Sequence, residues 1–189
     1  FIITNINSWN YKRVLTMKII DIHSHFYPDN IKDMESRFGD GIWPGFLRLP
    51  GEKGMITMDG ENYRPIYEAC WNAERRIEDL DKYMVDIQII CATPILFAYE
   101  KPAEAALECA KVINDAAIEL CAYNPSRLRA MCQVPLQNID MACAEVERSM
   151  ACGHVGVQIG NHVKNKNLDD EGLITFLQHC ASINTPVLI

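Results

Sequence analysis

Long apolar runs are missing from this chain: nothing in it approaches the ~18 consecutive apolar residues of a membrane-spanning helix. Phe1 to Thr16 also lacks the apolar core and small-residue cleavage site of a signal peptide, so a cytoplasmic protein without a membrane role is expected. Excess positive charge is missing too. Lys and Arg number 18 against 25 Asp and Glu, for a net charge of −7 and a pI near 5.2, which argues against a nucleic-acid or anionic-membrane partner. An anionic small molecule stays within reach, because a few local arginines or a metal ion outweigh the overall field. None of the eight cysteines forms a Cys-x-x-Cys pair, and Cys109, Cys121, Cys143 and Cys180 sit inside apolar periodic segments. They read as reduced, buried thiols rather than as a disulfide framework. G-x-S-x-G, P-loop and H-E-x-x-H patterns are absent, and no G-x-G-x-x-G follows the first strand, which removes the nucleotide-binding and common hydrolase readings.

What remains is an ordinary globular composition, 49% hydrophobic and 23% charged over 189 residues, in a regular order of elements. A strand through Ile19-Ile20-Asp21-Ile22-His23 is followed by a long excursion. A helix then runs from about 72 to 83, and a β-rich run covers Val85 to Cys91. Pro102 opens a helix to about Ala122, with Ala106, Ala110, Ile113, Ala117 and Leu120 on one stripe. Leu128 to Val134, Val155 to Ile159 and Val187 to Ile189 read as further strands. Between them lie helices expected to be capped by Asp140 and Asp169. Apolar strands alternating with helices imply a parallel sheet covered by helices, and the parts amount to about half of a (β/α)8 barrel. The expected fold class is therefore α/β, the N-terminal half of a TIM barrel with a small β-hairpin inserted after strand one. The insertion spans about residues 39 to 67, and Asp59-Gly60 is a two-residue turn signal within it.

The ends suggest a piece of a larger protein. Met17-Lys18-Ile19-Ile20 makes a natural start just before the first strand, and the sequence stops inside Thr185-Pro186-Val187-Leu188-Ile189. The expectation is a non-domain extension over 1–16 and a barrel domain over 17–189 that is cut at strand five and inactive by itself.

Chemistry concentrates at Asp21-Ile22-His23-Ser24-His25. Side chains alternate along a strand, so His23 and His25 point the same way, with Asp21 behind them. Two imidazoles on one face at a strand's C-terminal end can hold a divalent metal at a barrel mouth. A pair of packed or solvated histidines is the plainer alternative. Arg64, on the inserted hairpin, is either a surface ion-pair residue or a bidentate grip for a substrate carboxylate. Phe97 could wall an apolar pocket, although loop packing is its default role, and His162 follows a strand end as a site-lining residue. His154 and His179 read as structural, and Asn114-Asp115 as a source of hydrogen bonds between elements. No catalytic residue is certain from the residues themselves, and a metal would need further ligands.

Asp21-Ile22-His23-Ser24-His25-Phe26, Asn62-Tyr63-Arg64-Pro65-Ile66-Tyr67, Cys91-Ala92-Thr93-Pro94, Gln133-Val134-Pro135-Leu136-Gln137 and Gly156-Val157-Gln158-Ile159-Gly160-Asn161-His162 together resemble the metal-dependent amidohydrolase superfamily. Within it, they resemble the branch of 2-amino-3-carboxymuconate-6-semialdehyde decarboxylases. The resemblance covers Met17 to Ile189. It implies a barrel with one Zn2+ (another divalent ion is an alternative), held by His23 and His25 together with a strand-five histidine and a late aspartate that the sequence does not include. It also implies that Arg64 grips a small-molecule carboxylate substrate, that the full-length protein is a homodimer, and that the reaction is a non-oxidative decarboxylation in tryptophan or nitrobenzoate breakdown. Another decarboxylase or hydrolase of the same branch, or a non-catalytic truncated product, are the alternatives.

Overall fold

The computed structural model describes residues 17–31, 37–38 and 42–189. The expected extension over 1–16 and the start of the expected insertion, 39–41, lie outside the described residues. Strand β1 (Ile20–Phe26) is followed by three antiparallel strands, β2 (Pro44–Leu49), β3 (Lys53–Met58) and β4 (Glu61–Tyr67). The remainder alternates: α1 (Ala73–Lys82), β5 (Ile87–Ala92), α2 (Ala103–Ala122), β6 (Leu128–Ala130), α3 (Ile139–Ala151), β7 (Val157–Gln158), the short strands β8 (His162–Val163) and β9 (Lys166–Asn167), α4 (Glu171–Ser182) and β10 (Val187–Leu188).

Five strands are parallel neighbours in chain order. β1 pairs with β5 and β5 with β6, a Cys132–Val157 bridge links the chain after β6 to β7, and β7 pairs with β10. A doubly wound sheet would reverse its strand order at a switch point, whereas a barrel adds each strand beside the last. The observed order is that of a barrel, and the expected partial (β/α)8 fold is present.

Local chemistry explains the elements. On α2, Ala106, Cys109, Ala110, Ile113, Ala117 and Cys121 recur at three- and four-residue steps, and all are buried. Helices α1, α3 and α4 are capped by Asn72, Asn138 and Asp170, whose side chains accept from the Arg75, Met141 and Gly172 amides. Two of the expected caps are thereby corrected. Asp140 lies in the first turn of α3, where its charge suits the helix dipole, because the turn Asn138 N–H to Pro135 O places Asn138 first. Asp169 yields to its neighbour Asp170, the residue with the extended backbone that a cap requires.

The insertion is larger than the expected hairpin. Asp59 (φ 53°) and Gly60 (φ 75°) form the anticipated left-handed turn between β3 and β4. A second turn through Gly51 and Glu52, also left-handed, adds β2 on the other side of β3. Pro44, Gly45 and the mixed pattern of Phe46 to Leu49 hide this strand from a period-two reading. Pro65 is tolerated because β4 is an edge strand. Gly54 has no substitute, because a Cβ there would collide with the rings of Phe46 and Trp71.

Among the described residues the core has two parts. Phe26, Tyr27, Ile56, Ile90, Leu96, Ile113 and Leu128 belong to the first, and Cys132, Val146, Val157, Leu173, Phe176 and Cys180 to the second. Ile56 carries the inserted sheet into the first of them. Among the described residues no helix is long and apolar enough to cross a membrane.

Candidate metal centre

The register of β1 on β5 skips a residue. Asp21 lies opposite Gln88 and Ser24 opposite Ile90, so Ile22 and His23 share the single partner position of Ile89. Such a bulge breaks strict alternation and re-aims side chains. Asp21 accordingly contacts Gln88 on the helix-covered side, while the His23 and His25 rings meet edge to face with centroids 5.0 Å apart. The two imidazoles are together as expected, and Asp21 is on the opposite face.

His25 is half-buried and His23 exposed. His25 Nδ1 lies 3.1 Å from the Ala92 carbonyl oxygen at the end of β5. A carbonyl only accepts, so Nδ1 carries the proton and the Nε2 lone pair is left for a ligand, the arrangement typical of metal-bound histidine. Burial lowers the pKa of His25; the Ala92 and Cys91 backbone opposes this, and the charges of His23 and Arg64 reinforce it. The ring therefore stays neutral, the form that ligates. Two imidazole ligands fit zinc or another borderline divalent ion. They do not complete a site, since among the described residues no three His, Cys, Asp or Glu side chains come together.

Arg64 reaches the same neighbourhood by way of the insertion. It pairs across strands with the fully buried Ile56 and lies two residues before Ile66, which packs on the core. Alternation thus turns Arg64 toward the domain, and its charge is felt at His25. Its head stays exposed.

Phe97 and His162 come together elsewhere on this face, in a cleft of about 470 Å³ at the C-terminal ends of β5 and β7. Trp43, Met58, Pro94 and Tyr99 are further walls. Phe97 is both core and wall, its ring centre 5.4 Å from that of Tyr99 in a tilted contact. His162 is exposed, and its Nδ1 donates to Asn161 Oδ1 at 2.7 Å. Lys101 places its ammonium 4.7 Å from the Trp43 ring centre. Neither His23 nor His25 lines this cleft. Trp43 and Tyr99 escaped sequence reasoning. The Tyr99 hydroxyl accepts from the Gly160 amide at 3.1 Å, a link between distant loops that no local pattern reveals.

The two histidines expected to be structural make contacts within the scaffold. His154 is buried with Nδ1 donating to the Ser149 carbonyl, and His179 on α4 faces Glu147 on α3 at 3.1 Å. Asn114 joins α2 to the Gln133 backbone and to Glu145.

No protein-family model matches the chain. It is 31% identical over 171 residues to the 2-amino-3-carboxymuconate-6-semialdehyde decarboxylase of Dictyostelium discoideum, a match covering 90% of this chain and 48% of that protein. The enzyme of the same name from Caenorhabditis elegans is 30% identical, with 79% of this chain and 42% of the relative covered. The chain thus spans about half the length of the curated relatives it matches. Among solved structures, apo IDCase of Metarhizium anisopliae superposes with a TM-score of 0.70 at 20% identity, covering 90% of this chain and 49% of that one. The 5-carboxyvanillate decarboxylase of Novosphingobium aromaticivorans, solved with manganese and 4-hydroxy-3-methoxy-5-nitrobenzoic acid, gives 0.67 at 21% identity, with 90% and 49% covered. A 2,6-dihydroxybenzoate decarboxylase from Rhizobium gives 0.64 at 18% identity, with 91% and 49% covered.

Proposed function

We propose, for a chain that belongs to the 2-amino-3-carboxymuconate-6-semialdehyde decarboxylase-like branch of the amidohydrolase superfamily, a metal-dependent non-oxidative decarboxylation of that semialdehyde by the complete gene product. The observation that carries the reading is the pair His23–His25, with the His25 tautomer fixed by Ala92 and the charge of Arg64 nearby.

His23 and His25 would hold a divalent ion, zinc in this proposal. A solved relative with bound manganese shows that such barrels take divalent metals. When bound, the ion supplies Lewis acidity and lowers the pKa of a coordinated water. The further ligands are proposed to come from the half of the relatives' length that this chain does not span. Arg64 receives the substrate carboxylate; a guanidinium offers it two parallel N–H donors and fixes its orientation. The bond from carbon to that carboxylate breaks, CO2 departs, the electron pair stays on the conjugated carbon skeleton, and one proton is taken up there. Phe97, Trp43 and Tyr99 provide the apolar walls that exclude water from such a skeleton, with His162 at the rim. A cytoplasmic homodimer completes the proposal.

A second reading, decarboxylation of a hydroxylated aromatic acid, is favoured by the aromatic walls of the cleft and by the substrates in the names of the solved relatives. The test is CO2 release by the complete gene product, with Zn2+ or Mn2+, from the muconate semialdehyde, a dihydroxybenzoate and a carboxyvanillate. Preference for the semialdehyde supports the first reading, preference for an aromatic acid moves the assignment to the second, and no CO2 from any of them contradicts both.

A further inference from the structure

Behind the two histidines, on the helix-covered side of β1, three side chains form one continuous series of hydrogen bonds. The His23 amide donates to Asp21 Oδ1 at 3.1 Å. Asp21 Oδ2 accepts from Gln88 Nε2 at 2.8 Å, and Gln88 Oε1 accepts from Arg76 Nη1 at 2.7 Å. Nη1 also donates to Ser24 Oγ at 3.1 Å, and Nη2 donates to the His25 carbonyl at 2.9 Å. The series starts on the backbone of one histidine, ends on the backbone of the other, and touches the residue between them.

Packing alone does not call for this arrangement. Arg76 is only 4% exposed and Gln88 8%, and Arg76 shares the buried face of α1 with Leu80. Taking a guanidinium out of water costs several kcal/mol, and an apolar side chain would seat the helix at least as well. Nor, among the described residues, does Arg76 contact a carboxylate directly; its partners are a carboxamide, a hydroxyl and a carbonyl. All of them belong to β1 or to the strand beside it. What the series encloses is the bulge, where Ile22 and His23 share one partner position. An unsupported bulge at the rim of a sheet can slip back into register; strict alternation would then bring Asp21 round to the histidine face and change the angle at which His23 is presented beside His25.

We infer that Asp21, Gln88 and Arg76 are positioning residues that hold the bulged segment so that both imidazoles present their free nitrogens to one divalent cation. This rests on His23 and His25 being metal ligands. Outer residues that orient ligands commonly change metal affinity by about 10–100-fold.

The experiment is a titration of the metal-free complete gene product with Mn2+ and Co2+, read as the dissociation constant and as the Co2+ visible spectrum. Wild type is compared with Gln88→Leu, Arg76→Lys, Asp21→Ala and, as the ligand control, His25→Ala. Thermal melting of each metal-free protein reports folding separately. The inference expects His25→Ala to abolish the site. It expects the three positioning variants to weaken binding about 10–100-fold and to change the Co2+ band intensities, including in variants whose metal-free melting is that of wild type. Asp21, the most accessible of the three, decides the matter if the buried substitutions do not fold. Wild-type affinity and spectrum in the folded variants would overturn the inference while leaving the metal site standing. Equal binding by wild type and His25→Ala would instead overturn the metal site itself.

Discussion

His25 Nδ1 and the Ala92 carbonyl oxygen, 3.1 Å apart on adjacent parallel strands, fix which nitrogen of the ring is free. The relationship is encoded in two places 67 residues apart, and only the register of β1 on β5 joins them. It turns a two-histidine motif into an oriented, neutral ligand with its lone pair exposed.

Arg64 is expected to act on substrate binding rather than on folding, because its head is exposed and its strand is held by Ile56 and Ile66. Arg64→Met should remove charge-assisted hydrogen bonds of about 1.5–3 kcal/mol, a loss on the order of 10–100-fold in kcat/KM carried by KM. Thermal melting should not change. Steady-state kinetics on the metal-loaded complete gene product, with Arg64→Lys as a partial rescue, checks this.

Glu145 should matter for stability. It is 2% exposed and accepts from Asn114 Nδ2, Ser149 Oγ, and Arg148 Nε and Nη2. Glu145→Ala strands these donors and should cost about 3–5 kcal/mol. Urea unfolding with an unchanged m-value would register that loss.

His154 makes folding sensitive to acid. Burial chiefly lowers its pKa from the ordinary 6.5, although the Ser149 carbonyl opposes the shift. The unfolded chain therefore binds this proton more readily than the folded one. The contribution to stability is present above about pH 6.5 and is lost as pH falls toward the depressed folded value. Urea midpoints measured between pH 8 and pH 5 should fall, and His154→Gln should flatten that limb.

Thiol reactivity should be selective. Cys152 is exposed, whereas burial pushes the buried thiols Cys91, Cys109 and Cys132 up to about 12. Iodoacetamide at mild pH should label Cys152 first, with those three protected until denaturant is added; mass mapping reads the order.

Much of this arrangement is legible in the sequence, and what is not has physical reasons. The five parallel strands announce themselves as apolar runs, and Asp59-Gly60 as a turn, because those signals are local. His23 and His25 were recognisable from spacing. The side of the sheet taken by Asp21 was not, because a bulge is a property of two strands and shows in neither alone. Strand β2 was hidden by Pro44 and Gly45, and the Asp140 and Asp169 caps were displaced by turn geometry. Arg76 and Gln88 look like ordinary helix and strand residues until α1 is laid against β1. Tyr99 and Trp43 join the cleft through loops that only tertiary structure brings together.

The most direct test of the central claim is the metal content of the purified complete gene product, measured by elemental analysis for wild type, His23→Ala and His25→Ala. One equivalent of a divalent metal in wild type, lost in both variants, is the predicted result. Metal retained at wild-type level in both variants, or none in wild type after incubation with Zn2+ or Mn2+, would contradict it.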